Sequence, residues 1–148
     1  MKILVDADAF PNALKEILLR AVLKRSITTI FVANKNISIP NIEHIFMEIV
    51  SLGMDIADDH IAQLCEAEDL VITADIPLAD RIVAKGAIAL DPRGTIYNEE
   101  NIKYLLAMRN LMDELRSSGE ITGGPRAIDA RTVRAFADGL NGFLSKRS

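Results

Sequence analysis

The sequence predicts an α/β fold built on a central, mostly parallel sheet. Short apolar runs of strand length alternate with stretches in which apolar residues recur three and four positions apart, the spacing of one helix face. All five prolines fall at the boundaries between these stretches, where a proline opens a helix without interrupting a central strand. The 148 residues suit one domain with a sizeable core.

The predicted elements follow one another from the N-terminus. Strands are expected over residues 3–5, 28–33, 53–57, 69–74 and 86–90. Helices are expected over 11–22, 42–50, 58–65 and 77–83, and then, where only helical spacing remains, over 102–115 and 129–144. We therefore expect an α/β core at 1–95 and a helical C-terminal extension at 96–148. The apolar stripe from Ile102 to Leu115 fits either the core, which we favour, or the interface of a homodimer.

Bulk properties narrow the class of protein. No apolar run approaches the ~20 residues of a membrane span, and the N-terminus becomes acidic too early for a signal peptide. We expect a cytoplasmic protein without a membrane partner, whose single cysteine, Cys65, is a buried apolar residue. Residues 1–91 carry −6 and residues 92–148 carry +2, within a net charge of −4. This split suits a metal and a phosphate-bearing substrate, or ordinary solvated helix faces.

Acidic residues follow two of the predicted strands in the same way. Asp6 and Asp8 follow the first strand, and Asp75 and Asp80 follow the fourth. If these strands are parallel neighbours, their ends lie ~4.8 Å apart and the four carboxylates converge. Two carboxylates ~4 Å apart repel by about 4 kcal/mol at an effective dielectric constant of ~20, so they share a proton or hold a cation. Oxygen ligands favour Mg²⁺ or Mn²⁺.

Simpler interpretations accompany these candidates. Asp75 also suits a helix N-cap, and Asp80 also suits a solvated helix position. Asn34, at the end of the second strand, suits a ligand contact or a turn. The glycine-rich segment 123–126 suits phosphate binding through its backbone N–H groups and Arg126, or a flexible connector. Asp58 is interpreted as a helix cap.

Four ordered motifs carry a resemblance that covers essentially the whole chain. They are residues 5–11 (VDADAFP), 73–79 (TADIPLA), 91–94 (DPRG) and 122–125 (TGGP). Together they resemble the YaiI/YqxD family of bacterial proteins. The resemblance implies a three-layer PIN-like fold, whose relatives are mostly metal-dependent ribonucleases, with a pocket built from Asp6, Asp8, Asp75 and Asp80. The family usually has cysteine where this chain has Phe10. Phe10 removes thiol chemistry there, and it either narrows access to the pocket or stacks on a base.

The leading functional hypothesis is a Mg²⁺- or Mn²⁺-dependent nuclease that hydrolyses RNA. The aspartates would hold the metal, and Asn34, Arg93 or Arg126 would contact the substrate. One alternative is a catalytically idle PIN-like module that binds RNA or a protein. A haloacid-dehalogenase-like phosphatase ranks lower, because it would need threonine or valine in place of Phe10 and a suitably placed lysine.

Overall fold

The computed structural model describes residues 1–120 and 128–146. Within these ranges the chain forms six strands and five helices. The strands are β1 (Ile3–Asp6), β2 (Thr29–Ala33), β3 (Ile45–Ile49), β4 (Leu70–Ile72), β5 (Ile88–Leu90) and β6 (Ile96–Tyr97). The helices are α1 (Asn12–Arg25), α2 (Ile56–Leu64), α3 (Ile76–Ala84), α4 (Ile102–Ser117) and α5 (Ala130–Ser145). None of the helices described is long and apolar enough to cross a membrane.

The strands form one sheet in the order β3-β2-β1-β4-β5-β6. All neighbours are parallel except β5 and β6. Val5 of β1 is in register with Phe31 of β2 and with Ile72 of β4, so the first and fourth strands are neighbours, as the acidic pattern required. Strands β2 and β3 follow β1 on one side of the sheet's centre, and strands β5 and β6 follow β4 on the other side. The crevice at the carboxyl ends of such a strand pair is where ligands bind in open α/β sheets.

Side-chain alternation along the strands separates two cores. Ile3 and Val5 of β1 join a cluster with α1 and α5, whereas Leu4 between them joins a cluster with α2 and α3. Successive side chains of a strand point to opposite faces, so each strand contributes to both cores. The α/β fold is therefore three-layered, with the sheet between two layers of helices, as predicted.

The C-terminal helices complete these two layers. Phe136, Leu140 and Leu144 of α5 are buried in the cluster that contains α1. Ile102 of α4 is buried in the opposite cluster, where α4 lies against α3. The helical C-terminal segment thus covers both faces of the sheet.

Two predicted elements are wrong. Residues 45–49, predicted as part of a helix after Pro40, form β3 at the edge of the sheet. The apolar spacing there matches a helix, but the β-branched and aromatic side chains pair with β2, and tertiary pairing overrides so short a periodic signal. Residues 53–57, predicted as a strand, instead lead into α2, which begins at Ile56. The short antiparallel strand β6 was not predicted.

The favoured core assignment for the stripe on α4 is also wrong for most of its length. Ile102 is buried, but Met108, Leu111 and Met112 are 38%, 46% and 36% exposed. The helix contacts α3 near its N-terminal end and leaves its later apolar side chains without cover from the described residues. Periodicity predicted the helix correctly, because it detects an apolar face. It does not show which element covers that face.

Candidate functional site

Asp6 stands at the carboxyl end of β1 on the α2 and α3 side of the sheet. Its Oδ2 accepts a hydrogen bond of 2.9 Å from Oγ1 of Thr73, which directly follows β4. Thr73 is buried, and its backbone N–H donates to the carbonyl oxygen of Leu90 on the neighbouring strand. The parallel pairing of β1 and β4 therefore fixes the Asp6 carboxyl at the switch point of the sheet.

The same threonine positions Asp75. Oγ1 of Thr73 accepts a 3.0 Å hydrogen bond from the backbone N–H of Asp75. Asp75 is the N-cap of α3, and its Oδ1 accepts from the backbone N–H of Leu78 at 3.0 Å. Pro77 lies in the first turn of the helix, where its missing N–H costs no hydrogen bond. The N-cap interpretation of Asp75 is thus correct. The residue also belongs to the acidic cluster, because its negative charge raises the pKa of Asp6.

Asp8 lies in the loop between β1 and α1. Both of its carboxyl oxygens accept from the backbone N–H of Asn34, at 3.1 and 2.8 Å. Asn34 follows β2, so this contact joins the ends of the two strands. The predicted position of Asn34 at the rim is confirmed, and its observed contact is made by the backbone.

A fourth carboxylate, Asp58, joins the cluster from α2. The interpretation of Asp58 as a helix cap is wrong, since Asp55 occupies the N-cap position and Asp58 lies in the first turn. When protonated, the carboxyl group of Asp58 can donate a hydrogen bond to that of Asp75. Burial, followed by the charge of Asp75, this hydrogen bond and the charge of Asp6, raises the pKa of Asp58 to about 7. The sequence does not assign Asp58 to the site, because it predicts the start of α2 at residue 58, whereas the helix begins at Ile56.

Burial and mutual repulsion also act on Asp6. Burial is the largest cause that raises its pKa above the usual value, and the charges of Asp75 and Asp8 add to it, while the Thr73 hydrogen bond opposes them. The ion pairs formed by Lys2, His60, Arg81, Lys103, Arg109 and Arg116 are all made with acids outside this cluster. A proton or a bound cation would relieve the repulsion among these carboxylates.

Asp80 has a different environment from the other predicted site residues. Its Oδ1 lies 2.8 Å from Nζ of Lys103, in an ion pair that joins α3 to α4. The charges that raise the pKa values of Asp6 and Asp58 are those of Asp75, Asp8, Asp6 and Asp55, and Asp80 is not among them. The role of Asp80 as a metal ligand stays a prediction.

The two predicted arginine contacts have different positions. Arg93 lies in the turn between β5 and β6, where its backbone N–H donates to Oδ1 of Asp91 at 2.6 Å. This turn is at the carboxyl edge, two strands away from β1. Arg126 and the motif at 122–125 lie outside the described residues. The substrate roles of both arginines stay predictions.

The carboxylate oxygens of the acidic cluster are the type of ligand that Mg²⁺ and Mn²⁺ prefer, but the arrangement of these oxygens is incomplete for a metal site. Within residues 1–120 and 128–146, no three His, Cys, Asp or Glu side chains form a group that could hold a metal ion. Asp8 and Asp75 each direct carboxyl oxygens to backbone N–H groups. Mg²⁺ commonly keeps several waters and binds through one or two carboxylates together with a substrate phosphate. The donor types therefore suit such a cation, while the described side chains do not by themselves form a complete metal site.

These features define a doubly wound α/β protein with a carboxylate cluster at the switch point of its sheet. The chain belongs to the YaiI/YqxD family, since the model of the family described as "Uncharacterized BCR, YaiI/YqxD family" matches residues 4–146. A "UPF0178 protein" from Sulfurovum sp. (strain NBC37-1) is 52% identical over 146 residues, which cover 99% of each chain. A second "UPF0178 protein", from Maridesulfovibrio salexigens, is 51% identical over 99% of this chain and 97% of its own. No solved structure matches the chain.

Proposed function

We propose that this protein is a divalent-cation-dependent nuclease that hydrolyses phosphodiester bonds of RNA. The observation that supports the proposal is the convergence of Asp6, Asp8, Asp58 and Asp75 at the β1–β4 switch point. Uncompensated carboxylates raise one another's pKa values, and a bound cation relieves that repulsion. Repulsion within such an acidic cluster lowers the stability of the folded protein. This pattern is typical of residues that serve a functional site.

Each carboxylate has a role that follows from its surroundings. Asp6 and Asp75 would hold Mg²⁺ or Mn²⁺, with Asp8 beside them, because Thr73 fixes the first two relative to each other. Such an ion, when bound, polarises a phosphoryl oxygen and lowers the pKa of water. Asp58, with a pKa of about 7, suits proton exchange with the attacking water near neutral pH. Asp80 would act as an outer ligand after Lys103 releases it.

A second candidate function is a binding module without turnover. The observation in its favour is that Asp8 and Asp75 already accept hydrogen bonds from the backbone N–H groups of Asn34 and Leu78. Carboxylates that accept these hydrogen bonds stabilise the end of a strand and the start of a helix. Fewer of their oxygen lone pairs then remain to bind one ion. This candidate predicts metal or RNA binding that depends on Asp6, with no cleavage.

The decisive experiment is cleavage of labelled single-stranded and hairpin RNA in the presence of Mg²⁺ or Mn²⁺. The variants are Asp6→Asn, Asp75→Asn and Asp80→Asn, with Asp59→Asn as the matched control. Asp59 is an exposed neighbour of Asp58 that pairs with Arg81. Asparagine is a good N-cap, so Asp75→Asn keeps the start of α3.

We expect Asp6→Asn and Asp75→Asn to reduce cleavage by about 100-fold or more, since even the outer partners of metal ligands are worth about 10–100-fold. Asp59→Asn should cleave like the wild type. A loss in Asp80→Asn would establish its role as an outer ligand. Equal activity in all variants would identify a contaminant and overturn the proposal. Absence of cleavage, with cation binding that requires Asp6, would support the binding module instead.

A further inference from the structure

A cleft borders Asp8 on the other side of the sheet from Asp6. It has a volume of about 120 Å³, and its polar lining consists of Asp8, Asn12, Lys15 and Lys35. Ala7 and Phe31 also line it, and both belong to the core on the α1 side. Asp8 therefore separates the acidic cluster from a neighbouring cleft that contains two lysines.

The charge of this cleft is opposite to that of the acidic cluster. Lys15 and Lys35 line it together with a single acid, Asp8, and neither lysine forms an ion pair with a described acidic side chain. Nζ of Lys15 donates to the carbonyl oxygen of Ser38 at 2.8 Å, which ties α1 to the loop between β2 and β3. Each ammonium has three donors, so Lys15 keeps donors for a ligand.

The start of α1 adds to the positive potential. Pro11 occupies the N-cap position and offers no side-chain acceptor, and no acidic residue lies in the first turn. Asn12, the first residue of this 14-residue helix, lines the cleft. The N–H groups of Leu14 and Lys15 donate to the carbonyl oxygen of Pro11, which leaves those of Asn12 and Ala13 for a ligand. The helix dipole favours an anion at this end.

The size and walls of the cleft restrict what it can hold. The share of liquid volume for one water is about 30 Å³, so a cleft of about 120 Å³ has room for a small anionic group. Phe10 forms part of the wall, and its ring is held at 5.7 Å from the ring of Phe136 in an edge-to-face contact. Apolar walls lower the local dielectric constant, which strengthens the attraction between an ammonium group and an anion.

We propose that this cleft binds a phosphate group of a nucleic-acid strand, next to the phosphate presented to the acidic cluster. The inference rests on the proposed function and adds the means by which a polyanion approaches a site with several carboxylates. Lys15 and Lys35 contact the phosphate oxygens, next to the N–H groups of Asn12 and Ala13 at the start of α1. The strand then passes over Asp8 toward Asp6.

The test is a binding measurement that requires no catalysis. A labelled single-stranded oligoribonucleotide is titrated with the full-length protein in EDTA, and its fluorescence anisotropy is recorded at several salt concentrations. The variants are Lys15→Ala and Lys35→Ala. The matched control is Lys24→Ala, since Lys24 is an exposed lysine in the last turn of the same helix. A parallel titration with inorganic phosphate, followed by ³¹P NMR, distinguishes a strand from a free anion.

We expect Lys35→Ala to raise the Kd by about fivefold or more and to reduce the salt slope by about 0.7, the value for one contact to a single-stranded phosphate. Lys15→Ala should act in the same direction, and Lys24→Ala should bind like the wild type. Equal affinities for all four proteins, equal losses in the control, or binding of inorganic phosphate without binding of the strand would overturn the inference. RNA binding that depends on Lys15 and Lys35, together with cleavage that the aspartate variants leave unchanged, would support the phosphate-binding cleft and contradict the nuclease proposal.

Discussion

Oγ1 of Thr73 donates a 2.9 Å hydrogen bond to Oδ2 of Asp6 across two strands whose residues are 67 positions apart in sequence. The same oxygen accepts from the backbone N–H of Asp75. One buried hydroxyl group thus fixes the relative positions of two carboxylates that are otherwise driven apart by repulsion.

Thr73→Val should raise the pKa of Asp6 further, because the hydroxyl stabilises the ionised carboxylate. The variant should also lose about 1–3 kcal/mol of stability, the usual range for a hydrogen bond to a charged group and a newly unpaired buried donor. Carboxyl titration by NMR and urea unfolding measure the two effects. Thr29→Val is the control, since Thr29 is equally buried and its hydroxyl donates only to the carbonyl oxygen of Ile27. If both variants leave the titration of Asp6 unchanged, the contact does not stabilise its ionised form.

Asp58→Asn should make the protein more stable at pH 8 than the wild type. The folded-state pKa of Asp58 is about 7 against an ordinary value of 3.8, so the native state binds more protons between these pH values. The wild type therefore loses stability from this group as the pH rises from about 4 to 7. Because the side chain is partly exposed and screened by water, we expect a gain of about 1–2 kcal/mol. Thermal unfolding from pH 4 to 8 measures it, and parallel curves for Asp58→Asn and Asp59→Asn would contradict it.

Gly94→Ala should destabilise the protein by about 2–4 kcal/mol. Gly94 has a φ of +92°, and an added Cβ would lie 2.5 Å from the backbone oxygen of Ala135 in α5. The substitution combines backbone strain with a clash that only movement of α5 can relieve. Gly119→Ala is a matched control, since Gly119 has a φ of +80° with no atom within 4 Å of the added Cβ. Equal unfolding midpoints in urea for the two variants would show that α5 moves freely away from the turn.

Lys2→Met should cost about 1–3 kcal/mol and reduce the acid sensitivity of the protein. Asp69 is buried, and Nζ of Lys2 lies 2.7 Å from its Oδ2. Burial acts to raise the pKa of Asp69, but the hydrogen bonds from Lys2 and from backbone N–H groups outweigh it and lower that pKa. The group therefore stabilises the fold above pH 3.8, and this contribution is lost as the pH falls through the lowered pKa.

The control for Lys2→Met is Lys103→Met, which breaks the more exposed pair with Asp80. Such pairs are worth about 0–1 kcal/mol, so this variant should unfold close to the wild type. Urea unfolding at pH 7 and pH 3 compares the two variants. A larger loss in Lys103→Met than in Lys2→Met would mean that the pair on α3 and α4 is the structural one.

Substitutions along the apolar stripe of α4 should have unequal effects. Ile102→Ala should cost about 2–5 kcal/mol, because Ile102 is buried against α3. Leu111→Ala should cost less than about 0.5 kcal/mol, because Leu111 is exposed. Unfolding in urea at low protein concentration measures both. A large loss in Leu111→Ala would show that this face is covered in solution.

Some of the site was predictable from local sequence. Asp6, Asp8 and Asp75 follow buried strands, and parallel strands of an α/β sheet end at the same edge. Asp58 was not predictable in this way, because its place in the cluster depends on where α2 begins, and apolar spacing determines such boundaries only to within a few residues. Lys15 and Lys35 carry no motif at all. They line one cleft because α1 and the end of β2 meet beside Asp8.

The sequence by itself determined the α/β class, the parallel strands β1, β2, β4 and β5, and the acids at the ends of β1 and β4. These features depend on local periodicity, proline placement and burial, which neighbouring residues specify. Only the tertiary structure decided that residues 45–49 form an edge strand, that Asp58 joins the cluster while Asp80 pairs with Lys103, and that most of the α4 stripe is exposed. Each of these outcomes depends on which partner a segment meets across the fold, and local spacing carries no information about that partner.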